Sequence, residues 1–224
     1  MRDLKKWCGC APPDMPVTKG RYIEIAPLQL PDHGDDLFAA LAGAANDELW
    51  RYIPFGPFDD AAALGATLAE VVNKQNWQTH LLRDARTGAA VGMASFMRIR
   101  PEQGSAEIGC IMFSKALQRT PAATEAMYLI ARHIFEARGY RRYEWKCNDA
   151  NEASKRAALR LGFTYEGTFR QDMVVKGESR DTAWFSMLDH EWPDVKAAFE
   201  AWLAPENFDN DERQRKQLEE FRRK

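Results

Sequence analysis

The sequence predicts an α/β (α+β) domain built on a mixed, mostly antiparallel sheet flanked by helices, and three stretches predict it. Residues 78–113 run through three strand-like segments broken at Asp84-Ala-Arg-Thr-Gly88 and Glu102-Gln-Gly104, which reads as an antiparallel meander. Thr120 to Arg138 opens on a capping Thr120, places Pro121 at the first helical position and stops at Gly139, so a long helix follows the meander. Thr164 to Arg170 and Asp181 to Asp189, joined through Lys176-Gly177, read as the strand pair that closes the sheet.

The remaining elements follow in chain order. Residues 1–20, rich in Pro and Gly without a sustained period, form an irregular arm ahead of a single domain over 21–205. Tyr22-Ile-Glu-Ile25 alternates as a half-buried strand, and Leu28-Gln-Leu-Pro-Asp32 turns into a helix over about 35–45. Trp50-Arg-Tyr-Ile-Pro-Phe-Gly-Pro-Phe58 is broken by Pro and Gly and cannot be continuous helix; a helix over 59–74 follows. Tyr143 to Cys147 is a strand. Asn151 then reads as the N-cap of a helix whose Ala153, Ala157 and Leu161 recur at helical spacing and which Gly162 stops. Trp192, Val195, Phe199, Trp202 and Leu203 give a last amphipathic helix, and residues 206–224 form a charged tail, solvated helix or disorder from Asp209 onward.

Composition narrows the class. With 31 basic and 33 acidic residues among 224, the net charge of -2 creates no sequence-wide field for nucleic acid or anionic lipid. No run approaches the roughly 18 consecutive apolar residues that span a bilayer, and the N-terminus lacks the apolar core of a signal peptide, so a soluble protein is expected. Cys110 and Cys147 sit inside apolar strands as small hydrophobes, which favours a reducing cytosol. Cys8-Gly-Cys10 has no second Cys/His pair at zinc spacing, and His33, His80, His133 and His190 are scattered, so no metal is expected.

Two segments carry a resemblance. Ala116-Leu-Gln-Arg-Thr-Pro-Ala-Ala-Thr-Glu-Ala-Met127, directly after Ala106-Glu-Ile-Gly-Cys-Ile-Met-Phe113, resembles the acyl-CoA pyrophosphate loop of the GNAT acetyltransferase superfamily. Asn151 to Phe163, ending in Leu-Gly-Phe, resembles its last conserved helix, and the match runs from about Arg21 to Trp192, most like the branch acetylating ribosomal-protein N-terminal amines. The resemblance implies a GNAT-like sheet, acetyl-CoA as co-substrate and a primary-amine acceptor, either a protein N-terminus or an aminoacyl-type small molecule. A homodimer is compatible with it. A non-catalytic CoA-binding or sensory module with the same fold is the alternative.

Residue by residue, the resemblance implies a pyrophosphate cradle from Gln118, Arg119, Thr120, Ala122, Ala123 and Thr124, where free amides and a helix dipole favour anionic oxygens. Pro121 stands where the family usually has Gly and removes one N–H. Backbone groups of Ile111, Met112 and Phe113 would pair with pantetheine like a missing strand, and Asn151 would bind the same arm. Glu107 is the implied proton acceptor, although a strand carboxylate can as readily pair with an Arg of a neighbouring strand. The usual thiolate-protonating Tyr is Ala158 here, which leaves Ser154 to hydrogen-bond sulfur. Trp50, Tyr52, Phe55 and Trp184 are candidates to line the acceptor slot, although aromatics in such a stretch more often belong to the core.

Overall fold

The structure is a computed structural model that describes residues 4–30, 32–209, 211 and 213–222. Residues 1–3 of the expected arm and 210, 212, 223 and 224 of the expected tail lie outside the described residues, as does Pro31. Among the described residues eight strands form one sheet: β1 (Thr18–Lys19), β2 (Ile23–Pro27), β3 (Gln78–Asp84), β4 (Ala90–Arg100), β5 (Ser105–Phe113), β6 (Arg142–Asn148), β7 (Thr164–Val175) and β8 (Glu178–Leu188). Their order is β1-β2-β3-β4-β5-β6-β8-β7, and every pairing is antiparallel except β5 with β6.

Helices cover both faces. On one face α1 (Gly34–Leu41) and α2 (Ala61–Gln75) bring Leu37, Leu41, Leu64 and Leu68 onto Leu81, Met93 and Met112. On the other, α3 (Pro121–Arg132), α4 (Glu152–Arg160) and α5 (Trp192–Leu203) pack over Leu82, Ala94, Ile108, Trp145 and Phe185. Neighbours Leu81 and Leu82, like Met93 and Ala94, therefore enter opposite cores, as the two-residue period of a strand requires.

The helix boundaries follow from local chemistry. Asp60 accepts the Ala63 N–H at 2.8 Å to start α2, and the Thr120 hydroxyl accepts the Ala123 N–H at 3.3 Å to start α3. The expected long helix from Thr120 is in fact α-helical only to Arg132 and continues as a π turn over His133–Ala137 before Gly139. The first helix is likewise shorter than expected, ending at Leu41 with a 3-10 segment, Ala44–Trp50, after it. Within α3, the carboxylate of Glu125 accepts the N–H groups of Arg21, Tyr22 and Ile23 at 2.6–3.1 Å and fixes the entry of β2.

Both chain ends are better tied than their composition suggests. In the arm, Trp7 donates to the Glu102 carbonyl at 2.8 Å, the Cys10 N–H donates to Pro101, and Met15 is buried. The tail is neither solvated helix nor disordered over its described residues. Asn207 is buried and donates to the Trp202 and Lys216 carbonyls at 3.0 and 3.2 Å, and Leu218 enters the main core. One apolar side chain every few residues is enough to dock a charged segment when the adjoining helix leaves a groove for it.

Candidate functional site

The site begins where two parallel strands part. β5 and β6 pair from Ser105/Arg142 to Ile108/Trp145 and no further, while β6 stays paired with β8 up to Asn148/Thr182. Beyond Ile108 one edge of β5, including Ile111, Met112 and Phe113, has no strand beside it among the described residues. A bulge drives the divergence: β5 uses one residue more than β4 between Met112 and Gly109, and Cys110 in that interval takes a left-handed φ of 45°. Non-glycine residues hold such angles only where their surroundings impose them.

Helix α3 points its N-terminus from the loop after β5. Arg119 is left-handed at φ 62°, Pro121 has no N–H, and the Ala123 N–H is taken by Thr120. The Ala122 N–H lies in the first turn, where no intrahelical acceptor exists. The structure changes the expected roles of two loop residues. Gln118 donates its side-chain amide back to the Phe113 carbonyl at 2.9 Å and its backbone N–H to Ser114, so it shapes the loop instead of facing an anion. Thr124 is buried, with its hydroxyl accepting from Arg160 at 3.1 Å, so its side chain is turned into the helix packing.

Across the splay stands the first turn of α4. Asn151 caps it, Oδ1 accepting the Ser154 N–H at 3.1 Å, which leaves the side-chain amide nitrogen as its remaining donor. The Ser154 hydroxyl accepts from Trp145 Nε1 at 3.0 Å and also hydrogen-bonds the Cys147 sulfur.

Glu107 lies on the other side of the sheet at the apex of the splay, 2 % exposed. The carboxylate faces Arg98 of β4 and Lys146 of β6, the latter at 3.3 Å. The ion pair with a neighbouring strand that the sequence left open is thus present. Arg98 reaches it through a second bulge, being left-handed at φ 42° where β4 uses one residue more than β5. Burial pushes the Glu107 carboxyl up while the two cations pull it down. Gly109 is small of necessity: a Cβ there would stand 3.0 Å from Glu107 Oε1 and collide with the Met97 sulfur.

Lys146 is the group the sequence reading missed. Burial lowers its ammonium to about 8, against the raising effect of Glu107, and it sits 3.5 Å from the centre of the Trp184 ring. The signal was there: in Tyr143-Glu-Trp-Lys-Cys147 the charged residues alternate with core residues, so Glu144 and Lys146 share the face of Glu107. Burial pushes the Cys110 thiol up to about 12 and raises Cys147 as well, so neither is a ready thiolate.

Of the four aromatic candidates, Trp50 is corrected. It is 0 % exposed, donates to the Leu41 carbonyl at 2.8 Å and packs edge-on against Phe58, because a large ring with a satisfied N–H is the natural filling for the core under α1 and α2. Phe55 leans on it, half-buried. Tyr52 instead donates to the Ala150 carbonyl at 3.2 Å, and Lys176 of the β7–β8 turn donates to the Trp50 carbonyl at 3.0 Å, so the aromatic loop is tied to both of its neighbours. Trp184 is half-buried beneath Lys146, with Phe169 packed 4.9 Å away and 55 % exposed. A cavity of about 1100 Å³ opens beside them, lined by Asn148, Asp149, Phe169, Asp172 and Asp181 among others.

Among the described residues no group of three His, Cys, Asp or Glu side chains could hold a metal ion, and no helix is long and apolar enough to cross a membrane.

Residues 25–164 match the acetyltransferase (GNAT) domain family. A GCN5-related N-acetyltransferase from Brucella melitensis is 43% identical and superposes with a TM-score of 0.93, over 97% of this chain and 99% of that one. The uncharacterized N-acetyltransferase YoaA of Bacillus subtilis (strain 168) is 27% identical over 156 residues, 68% of this chain and 88% of YoaA. The ribosomal-protein-serine acetyltransferase of Escherichia coli (strain K12) is 33% identical over 81 residues, 36% of this chain and 45% of that protein.

Proposed function

Because the chain belongs to the GNAT acetyltransferase family, we propose that it moves an acetyl group from acetyl-CoA to a primary amine by direct attack. The observation that carries the reading is the unpaired edge of β5 beyond Ile108, a row of backbone donors and acceptors left beside the N-terminus of α3. An amide-bearing chain such as pantetheine satisfies such an edge as an added strand would. Acetyl-CoA, when bound, supplies the thioester carbon that the amine attacks.

The chain's own residues then divide the work. Ile111, Met112 and Phe113 hold the pantetheine arm through backbone groups other than the Phe113 carbonyl, which Gln118 already occupies, with the side-chain amide of Asn151 on the opposite wall. The Arg119 guanidinium and the Ala122 amide receive the pyrophosphate, where the helix dipole favours negative charge. Thr120 and Ala123 serve by bonding each other, which sets the helix end in place. Glu107 takes the proton of the attacking amine, and Arg98 and Lys146 hold its carboxylate at the cleft floor. Ser154 offers its hydroxyl proton to the departing sulfur, its oxygen being oriented by Trp145.

The acceptor we infer is narrow: a small aminoacyl-type amine or the end of an extended peptide. The Tyr52–Ala150 and Lys176–Trp50 hydrogen bonds tie the aromatic loop down on both sides, which suits a slender amine entering past Trp184 and Phe169. Release of free CoA, followed with short peptides bearing free N-termini and with amino-acid derivatives, tests this. Turnover with at least one of these groups, and none with lysines on a folded carrier protein, is expected. Release confined to folded carrier lysines would rule out the narrow acceptor.

A further inference from the structure

Lys146 has a chemistry that holding Glu107 does not exhaust. It is the most deeply buried lysine among the described residues, 4% exposed at its side chain where Lys155, Lys196 and Lys19 are at 23%, 32% and 78%. It is also the first residue of β6 beyond the last β5–β6 pair, Ile108 with Trp145, so its amine stands at the apex of the splay. A primary amine is thereby fixed beside the carboxylate that would deprotonate an acceptor, 3.3 Å from Glu107 Oε2, with the face of Trp184 as its floor.

Resting on the reading of the splay as the acetyl-CoA cleft, we propose that Lys146 is an internal acetyl acceptor, self-acetylated at Nζ by bound acetyl-CoA when no outside amine competes. In that step the Nζ lone pair forms an N–C bond to the thioester carbonyl carbon and the C–S bond breaks, its electron pair leaving with sulfur. The proton lost from Nζ passes to Glu107 and ends on the CoA thiolate. Nothing is oxidised or reduced. An ammonium lowered to about 8 leaves about one amine in ten neutral at pH 7. The groups that face it are Glu107, Arg98 and Glu144, together with Trp184 beneath.

The product is a switch on the same site. Acetylation removes the charge that pairs with Glu107, leaves that carboxylate to Arg98 alone, and puts an acetamide over Trp184 where an acceptor would enter. Burial also makes the mark diagnostic. Chemical acetylation from solution follows exposure and would reach Lys19 well before Lys146.

The test incubates the purified chain with acetyl-CoA and no acceptor, then reads intact mass and peptide masses, with calorimetric binding measured on the same preparation. One acetyl group per chain is expected, on Lys146, slowed by excess free CoA and missing from heat-denatured protein. Glu107→Gln should slow the mark at least tenfold and Lys146→Arg should abolish it; the wild-type peptide map stands even if either variant folds poorly. Acetyl-CoA binding with Lys146 unmarked, or marks spread over exposed lysines alike in native and denatured protein, overturns this inference alone. Absence of acetyl-CoA binding overturns the cleft reading and the inference together.

Discussion

The Lys146 ammonium and the Glu107 carboxylate lie 3.3 Å apart on adjacent parallel strands, at the point where those strands stop pairing. A buried charge pair is costly to assemble and costly to break from one side, so its position at the apex of a cleft points to chemistry more than to stability.

Glu107→Gln keeps the shape of the side chain and removes the proton acceptor. The turnover number should fall by about 100-fold or more, a usual loss for a general base, while acetyl-CoA affinity stays within about threefold. Steady-state kinetics alongside calorimetry checks the split; equal losses in both would reassign Glu107 to structure.

Asn151 is expected to do two jobs with two ends of one amide. Asn151→Asp retains an oxygen for the Ser154 N–H and should leave stability unchanged, yet lacks the donor and should weaken acetyl-CoA binding about tenfold. Asn151→Ala should lose both, including about 1 kcal/mol of helix capping. Thermal melts and titrations of the pair separate cap from contact, and unchanged affinity in both variants would remove Asn151 from the cofactor site.

Trp50 and Phe169 should behave oppositely. Trp50→Ala empties the centre of the core under α1 and α2 and should cost about 4 kcal/mol in denaturant unfolding. Phe169→Ala, at a ring that is 55 % exposed, should leave stability nearly unchanged and raise the acceptor KM. A stable Trp50→Ala variant would contradict the placement of that ring.

Acid should weaken the fold through His80. Burial first, then His133, lowers its imidazole from 6.5 to about 4. The unfolded chain therefore takes up a proton below pH 6.5 that the folded chain refuses, so this contribution is full above pH 6.5 and is lost as pH falls through 4. The loss is roughly 3 kcal/mol. Denaturant melts at pH 7, 5.5 and 4 should show the decline, with a shallower one in His80→Gln. Parallel declines would acquit His80.

Much of this architecture was legible in the chain. The meander, the capping Thr120 and the Asn151 helix all rest on neighbours within a few residues, which is what sequence patterns report. The site was legible only where it is local. Gln118 and Thr124 occupy the expected loop, but the Gln118 side chain turns back five residues to the Phe113 carbonyl, and that of Thr124 is claimed by Arg160, a partner that only folding brings near. Trp50 looked like a slot residue because an aromatic in a Pro/Gly-rich stretch reads as loop, whereas its indole reaches back nine residues to Leu41. The alternation along β6 marks the face on which Lys146 lies but not its partner Glu107, because a cross-strand ion pair leaves no spacing in the sequence, and the bulge that aims Arg98 has no glycine to announce it.

Whether the parted strands β5 and β6 form an acetyl-CoA site is read from calorimetric titration of the purified protein with acetyl-CoA, and separately with free CoA. One site per chain with micromolar affinity for both is expected, lost when Ala122 is replaced by Pro to remove a first-turn amide of α3. Folded protein that gives no binding heat with either ligand would contradict it.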